Sequence, residues 1–187
     1  MALISASTIL TSLCLFHITL AYFFYTSPHV IADQALVWVV GEAVGMPQTP
    51  YFSAPSPTSS LLAVILFLLG LSDLITLSMP EEIWLVHHWG TQAPARIVFF
   101  GGLAIFTYLT ASPAPAPIAG RHHHPAGVPS YYGATSGSDG LRNRVFFTLA
   151  CLEFLSWFWA WVTLREEAAA FAMRKRRRAS GKTRERS

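Results

Sequence analysis

The chain has 187 residues, of which 52% are hydrophobic and only 12% charged, and its mean hydropathy is +0.42. A soluble domain carries about 25% charged residues. The low charge, with apolar residues bunched in blocks and not alternating with polar ones, argues against an ordinary soluble enzyme and indicates an integral membrane protein. The formal net charge of +3 hides an asymmetry: no Lys or Arg precedes Arg96, and nine of the thirteen lie from Arg165 onward, so the basic character belongs to a tail. Cys14 and Cys151 each sit inside an apolar block and read as small core residues without a disulfide role.

In chain order, the first predicted span covers about 4–25, rich in Leu, Ile and Phe, with aromatic residues Tyr22 to Tyr25 at its exit, where rings suit the headgroup region. Without the basic residues of a secretory leader it reads as a retained anchor. Ser27-Pro28 breaks it. Residues 30–46 form one short helix, too acidic with Asp33 and Glu42 for a lipid-facing span, and therefore interfacial or re-entrant. A Pro/Ser/Thr linker leads to a second span at 61–79. A short polar connection through Glu81, Glu82, His87 and His88 leads to a third span at 95–110, whose Gly101-Gly102 allows close helix approach.

Residues 111–140 form a low-complexity Pro/Gly/Ser loop containing His122-His123-His124. The last span, 145–164, passes through Glu166-Glu167 into a basic tail, 168–187, with a disordered end. The expectation is an all-α membrane protein: a compact bundle of four transmembrane helices plus one short interfacial or re-entrant helix, all within a membrane domain of residues 1–167. The concentration of Lys and Arg after the last span predicts a cytosolic C-terminus. Four spans put the N-terminus on the same side, although Arg142 and Arg144 weigh weakly in the opposite sense.

Four ionisable residues fall in or beside apolar blocks: Glu42, Asp73, Arg96 and Glu153. A charge at mid-bilayer costs about 2.5–3.5 kcal/mol on insertion scales, so such groups face a partner or a wet cavity. Asp73 lies about six residues, ~9 Å, inside its span, and Arg96 begins the returning one, so the two are predicted to pair. Glu153 lies ~16 Å from the end of its span, and shares one helix face with Trp157 and Trp161 at i+4 and i+8. That face reads either as a hydrogen-bonded strut between helices or as the carboxyl-and-aromatic wall of a ligand cavity. Asp73 and Arg96 divide in the same way, and Glu42 is a solvated residue if its helix is interfacial.

The histidine runs lack a second set of ligands at metal-site spacing. No phosphate loop, paired-Cys motif, HExxH or nucleophile elbow is present, so no catalytic residue and no cofactor is assigned. The basic run Arg174, Lys175, Arg176, Arg177 and Arg178, just past a span, is suited to anionic lipid more than to nucleic acid.

Several short pieces, in order and spacing, resemble the fungal family named increased loss of mitochondrial DNA protein 1. They are Met1-Ala2-Leu3-Ile4, Gly41-Glu42-Ala43 with Met46-Pro47, Gly70-Leu71-Ser72-Asp73-Leu74, Ala95-Arg96-Ile97-Val98-Phe99-Phe100, Glu153-Phe154 with Trp157, and Leu164-Arg165-Glu166-Glu167. The resemblance implies a small multi-pass protein of the endoplasmic reticulum membrane, needed for retention of mitochondrial DNA, with no reaction attached. The leading expectation is therefore a non-enzymatic accessory or scaffold protein that acts on mitochondrial DNA indirectly. Its partners would be the bilayer, anionic lipid at the tail and a membrane protein, with no direct nucleic-acid contact. The alternative is binding of a lipid or sterol-like ligand, or ion or solute transport, through an intramembrane polar cavity around Glu153. A lipid-modifying enzyme is the third reading and lacks a recognisable nucleophile.

Overall fold

The computed structural model describes residues 4–48, 52–110 and 141–184, so the loop at 111–140, with its histidine run, lies outside the described residues. Helix α1, Ala6–Thr26, starts at Ser5, whose hydroxyl accepts from the Thr8 amide. It stops at Ser27 because Pro28 cannot continue its hydrogen-bond ladder. Pro28 instead opens α2, Pro28–Ala32, and α3 follows as Ala35–Val44, closed by Gly45 at φ 70°.

The single helix expected at 30–46 is thus two helices. Gln34 between them adopts an extended conformation, φ −61° and ψ 134°, while the Asp33 amide closes α2 on the carbonyls of His29 and Ile31. At ten residues α3 is ~15 Å long, half of the ~30 Å hydrocarbon thickness, and does not cross.

Helix α4, Pro57–Thr76, begins four residues before the predicted boundary. A capping box between Ser56 and Ser59 supplies the partners that its first amides need, and Pro57 suits the first turn. The connection after it differs more. Ile83–His88 is π-helical and runs directly into α5, Trp89–Thr110, so His87 and His88 are helical and do not lie in a polar loop. Pro94 sits inside this helix and removes one ladder donor. Upstream, the Thr91 hydroxyl donates to the carbonyls of His87 and His88, at 2.8 and 3.0 Å. Freed backbone groups satisfied in this way are how a membrane helix tolerates Pro and a widened turn.

Helix α6, Arg144–Arg184, has 41 residues. It carries the last span and continues through the basic run to Arg184; the end of the tail, expected to be disordered, lies outside the described residues. Ala168 to Ala170 and the Arg/Lys series are strong helix formers, and a helix already nucleated in the membrane extends without a new nucleation cost.

Among the described residues four helices are long and apolar enough to cross a membrane, and their outer faces expose large apolar side chains such as Leu68, Val98, Leu109 and Leu155. The chain is a multi-pass helical membrane protein. Helix α1 packs along α4 and α5 along α6, giving two helix pairs. The N-terminus of α1 is held by Glu167, whose Oε1 accepts from the Ala6 amide at 2.8 Å. The turn at Glu81 and Glu82 meets Arg174 and Lys175. The start of α1, the 77–82 turn and the end of α6 therefore lie at one end of the bundle. At the other end α2 and α3 roof the bundle, and the Arg144 amide donates to the Pro47 carbonyl.

Two apolar clusters fill the interior. One, around Leu10, Leu85, Trp89, Trp157 and Leu164, occupies the tail end. The other, around Phe24, Ile31, Val37, Ala63 and Val145, lies under the roof. Along α1 and α6, the buried polar side chains of His17 and Glu153 fall between them.

Candidate functional site: an intramembrane polar chain

Between the apolar clusters the four spans contribute a connected series of polar groups. Asp73 of α4 and Arg96 of α5 form a two-pronged ion pair, Nη1 to Oδ2 at 2.6 Å and Nη2 to Oδ1 at 2.8 Å. Asp73 is only 3% exposed. This geometry satisfies both carboxylate oxygens, which an unpaired charge in hydrocarbon cannot achieve. The predicted Asp73–Arg96 pair is present.

The Arg96 guanidinium also lies over two indoles, 4.5 Å from the Trp157 ring centre and 5.2 Å from that of Trp89. Those rings stack on each other at 5.2 Å and 21°. Their faces carry negative potential that attracts the cation. Trp157 passes the chain onward, its indole N–H donating to Glu153 Oε2 at 2.9 Å. Glu153 Oε1 is 2.7 Å from His17 Nε2 on α1, and both residues are buried, 6% and 4% exposed.

The series Asp73, Arg96, Trp157, Glu153, His17 thus touches all four spans. It also bridges the two helix pairs twice, from α4 to α5 and from α1 to α6. Beside the second bridge lies a cavity of about 110 Å³, walled by His17, Leu20, Leu66, Phe100, Leu149 and Glu153 among others.

The remaining predicted residues fall elsewhere. Glu42 sits at the roofed end, its side chain 65% exposed and 3.8 Å from Arg144, so it is a solvated residue and no part of the polar layer. Trp161, one turn beyond Trp157, packs at the edge of the tail-end cluster against Phe158 and under the Arg165 guanidinium, away from the Glu153 carboxyl. Gly101 approaches Phe154 of α6 closely, whereas Gly102 faces open space. Two members of the site are missing from the sequence reading, His17 and Trp89. A histidine inside an apolar span is as rare as a buried acid and was a usable signal. Among the described residues no group of His, Cys, Asp and Glu is arranged to hold a metal ion.

At the tail end, Arg174 pairs with Glu81 at 3.3 Å and Lys175 with Glu82 at 2.5 Å, while Arg176, Arg177 and Arg178 are exposed. The hydrogen bond from Lys175, then its charge, holds the Glu82 carboxyl below its ordinary value of 4.5. Because the folded-state value is the lower one, this contact is intact above the ordinary value and is lost as the pH falls through the depressed one. Spin labels at Met79→Cys and Met173→Cys are expected to report one fixed separation at pH 7 and a broadened one below pH 4. Glu82→Gln should broaden the pH 7 distribution and reduce its acid response. An acid response unchanged in that variant would assign the effect to another group.

A multi-pass helical protein whose intramembrane charges are directed at one another is the class that this fold and this site define. Residues 4–174 match the family model described as increased loss of mitochondrial DNA protein 1, nearly the whole chain, and the chain belongs to that family. No curated protein and no solved structure matches it.

Proposed function

We propose that this chain is a non-enzymatic accessory or scaffold protein of the endoplasmic reticulum membrane, acting on mitochondrial DNA maintenance indirectly. The observation that carries the reading is the double bridge. Asp73, Arg96 and Glu153 are occupied in joining one helix pair to the other, which is the arrangement of a locked frame more than of a reaction centre. Each side-chain oxygen of Asp73 and Glu153 already has a partner within the protein.

The C-terminus is cytosolic in this reading. Three basic residues, Arg121, Arg142 and Arg144, lie in the segments joined to the roofed end, against nine from Arg165 onward. With Arg174 and Lys175 engaged by Glu81 and Glu82, the exposed Arg176, Arg177 and Arg178 are available to anionic headgroups, each contributing about 1 kcal/mol near the surface, and a second membrane protein is the other partner. The endoplasmic reticulum follows the expectation raised by the family resemblance. A tagged chain that fractionates wholly with the inner mitochondrial membrane would overturn it.

The test is Glu153→Gln in a knockout-rescue assay, with the protein's abundance measured alongside. Gln keeps an oxygen for the Trp157 indole and a hydrogen-bonding group for His17 while removing ionisation. Unchanged abundance and unchanged rescue are expected. Unchanged abundance with lost rescue would mean that the carboxyl itself acts, and would favour the second reading, an intramembrane ligand site. One observation supports that alternative, the cavity beside His17 and Glu153. Of its two forms, ligand binding is better supported than ion or solute transport, because the ionisable groups are tied to one another instead of lining an open route.

A further inference from the structure

We propose that the cavity beside His17 and Glu153 seats the oxygen-bearing end of an uncharged single-chain lipid, whose chain runs out past Leu20 and Leu149 into the cleft roofed by α2 and α3. This rests on the ligand reading above, and adds the polarity, orientation and route of the ligand.

The polarity follows from the imidazole. His17 Nε2 is engaged by Glu153 Oε1, and Trp157 donates to Oε2, so Nδ1 is the ring nitrogen that these contacts leave over. That nitrogen is buried and has no hydrogen-bond partner among the described residues. A buried polar atom without a partner is costly, and His17 is part of the cavity wall.

Size and dryness restrict the occupant. A cavity of about 150 Å³ admits benzene, so one of about 110 Å³ admits a chain end and excludes a fused ring system. Water needs two to four polar partners, and apart from His17 and Glu153 these walls are leucine, phenylalanine and alanine. A carboxylate or phosphate head is excluded by the cost of charge at this depth. What fits is a hydroxyl on a chain, which can donate to Nδ1 or accept from it. The rest of the chain has a place: a second cleft of about 330 Å³ shares Leu20 and Leu149 with the cavity and opens at Thr19 and Leu36, both exposed.

The experiment uses the full chain in phosphatidylcholine nanodiscs with two matched probes, hexadecanol and hexadecane, each carrying a mid-chain diazirine. Photolabelled peptides are then mapped. The alcohol should label the walls of the cleft on α1, α3 and α6 saturably, be displaced by unlabelled hexadecanol, and exceed the alkane about five- to tenfold. Leu149→Trp enters the cavity from one turn before Glu153 and should abolish that saturable labelling, and His17→Phe should abolish the preference for the alcohol. Equal saturable labelling by both probes would overturn the contact between Nδ1 and the ligand oxygen while leaving the ligand reading standing. No saturable labelling by either would overturn both. Labelling confined to the Leu69 and Leu103 side would overturn the route, and labelling unaffected by Leu149→Trp would overturn the site.

Discussion

Replacing either Asp73 or Arg96 alone with an apolar residue is expected to lower stability by about 3–5 kcal/mol, because the partner is left buried and uncompensated. Replacing both, as Asp73→Leu with Arg96→Met, should cost far less than the two single changes together. The interaction energy is expected to be about 2–3 kcal/mol in the double-variant cycle. Met preserves an apolar stem but not the cation that sits over the indoles, so a residual loss of about 1 kcal/mol from the cation–π contacts should persist in the double variant. Reversible unfolding in detergent, or steady-state abundance of the four chains, measures this. Additive losses would mean that the 2.6 and 2.8 Å contacts contribute no net stability.

Gly70→Ala is the second large effect. A methyl group there would lie 2.9 Å from the Cys14 carbonyl oxygen, 3.0 Å from Ile18 and 3.1 Å from His17 Cβ. The first obstacle is backbone, so no side-chain rotation relieves it and α1 must move away from α4. Overpacking of this kind costs about 1–3 kcal/mol, and in lipid the helix pair has no hydrophobic driving force to offset it, since close packing is itself the attraction. Because His17 is one of the residues displaced, its bond to Glu153 should weaken as well. Gly70→Ala combined with Glu153→Leu, which removes that bond outright, should therefore lose less than the two changes separately. A Gly70→Ala chain with wild-type melting behaviour would show that α1 and α4 are not this close.

The bundle was legible in the sequence because four apolar blocks of membrane length announce themselves, and the Asp73–Arg96 pair because the two charges flank one turn. The His17–Glu153 bond was not legible. Its partners are 136 residues apart, so no spacing rule joins them, and Glu153 looked solitary only because His17 was read as part of an apolar block. Trp89 was hidden for a different reason. Gly90, Pro94 and two histidines look like a loop, but the histidines end a π-helical stretch and Gly90 and Pro94 belong to the α-helix that continues it, where the Trp89 indole is wholly buried. The split between α2 and α3 depends on the backbone conformation of Gln34, which composition does not encode.

The continuity of α6 changes what its basic run is. Successive residues on a helix are rotated by about 100°, so the five charges from Arg174 to Arg178 encircle the axis and form a collar, with no single face to present. Such a collar cannot be drawn into hydrocarbon from any side, which fixes how far α6 can slide along its own axis. Glu153 and Trp157 lie on that same rigid rod. The depth at which they meet His17 and Arg96 is therefore set about five turns away, where the helix leaves the membrane.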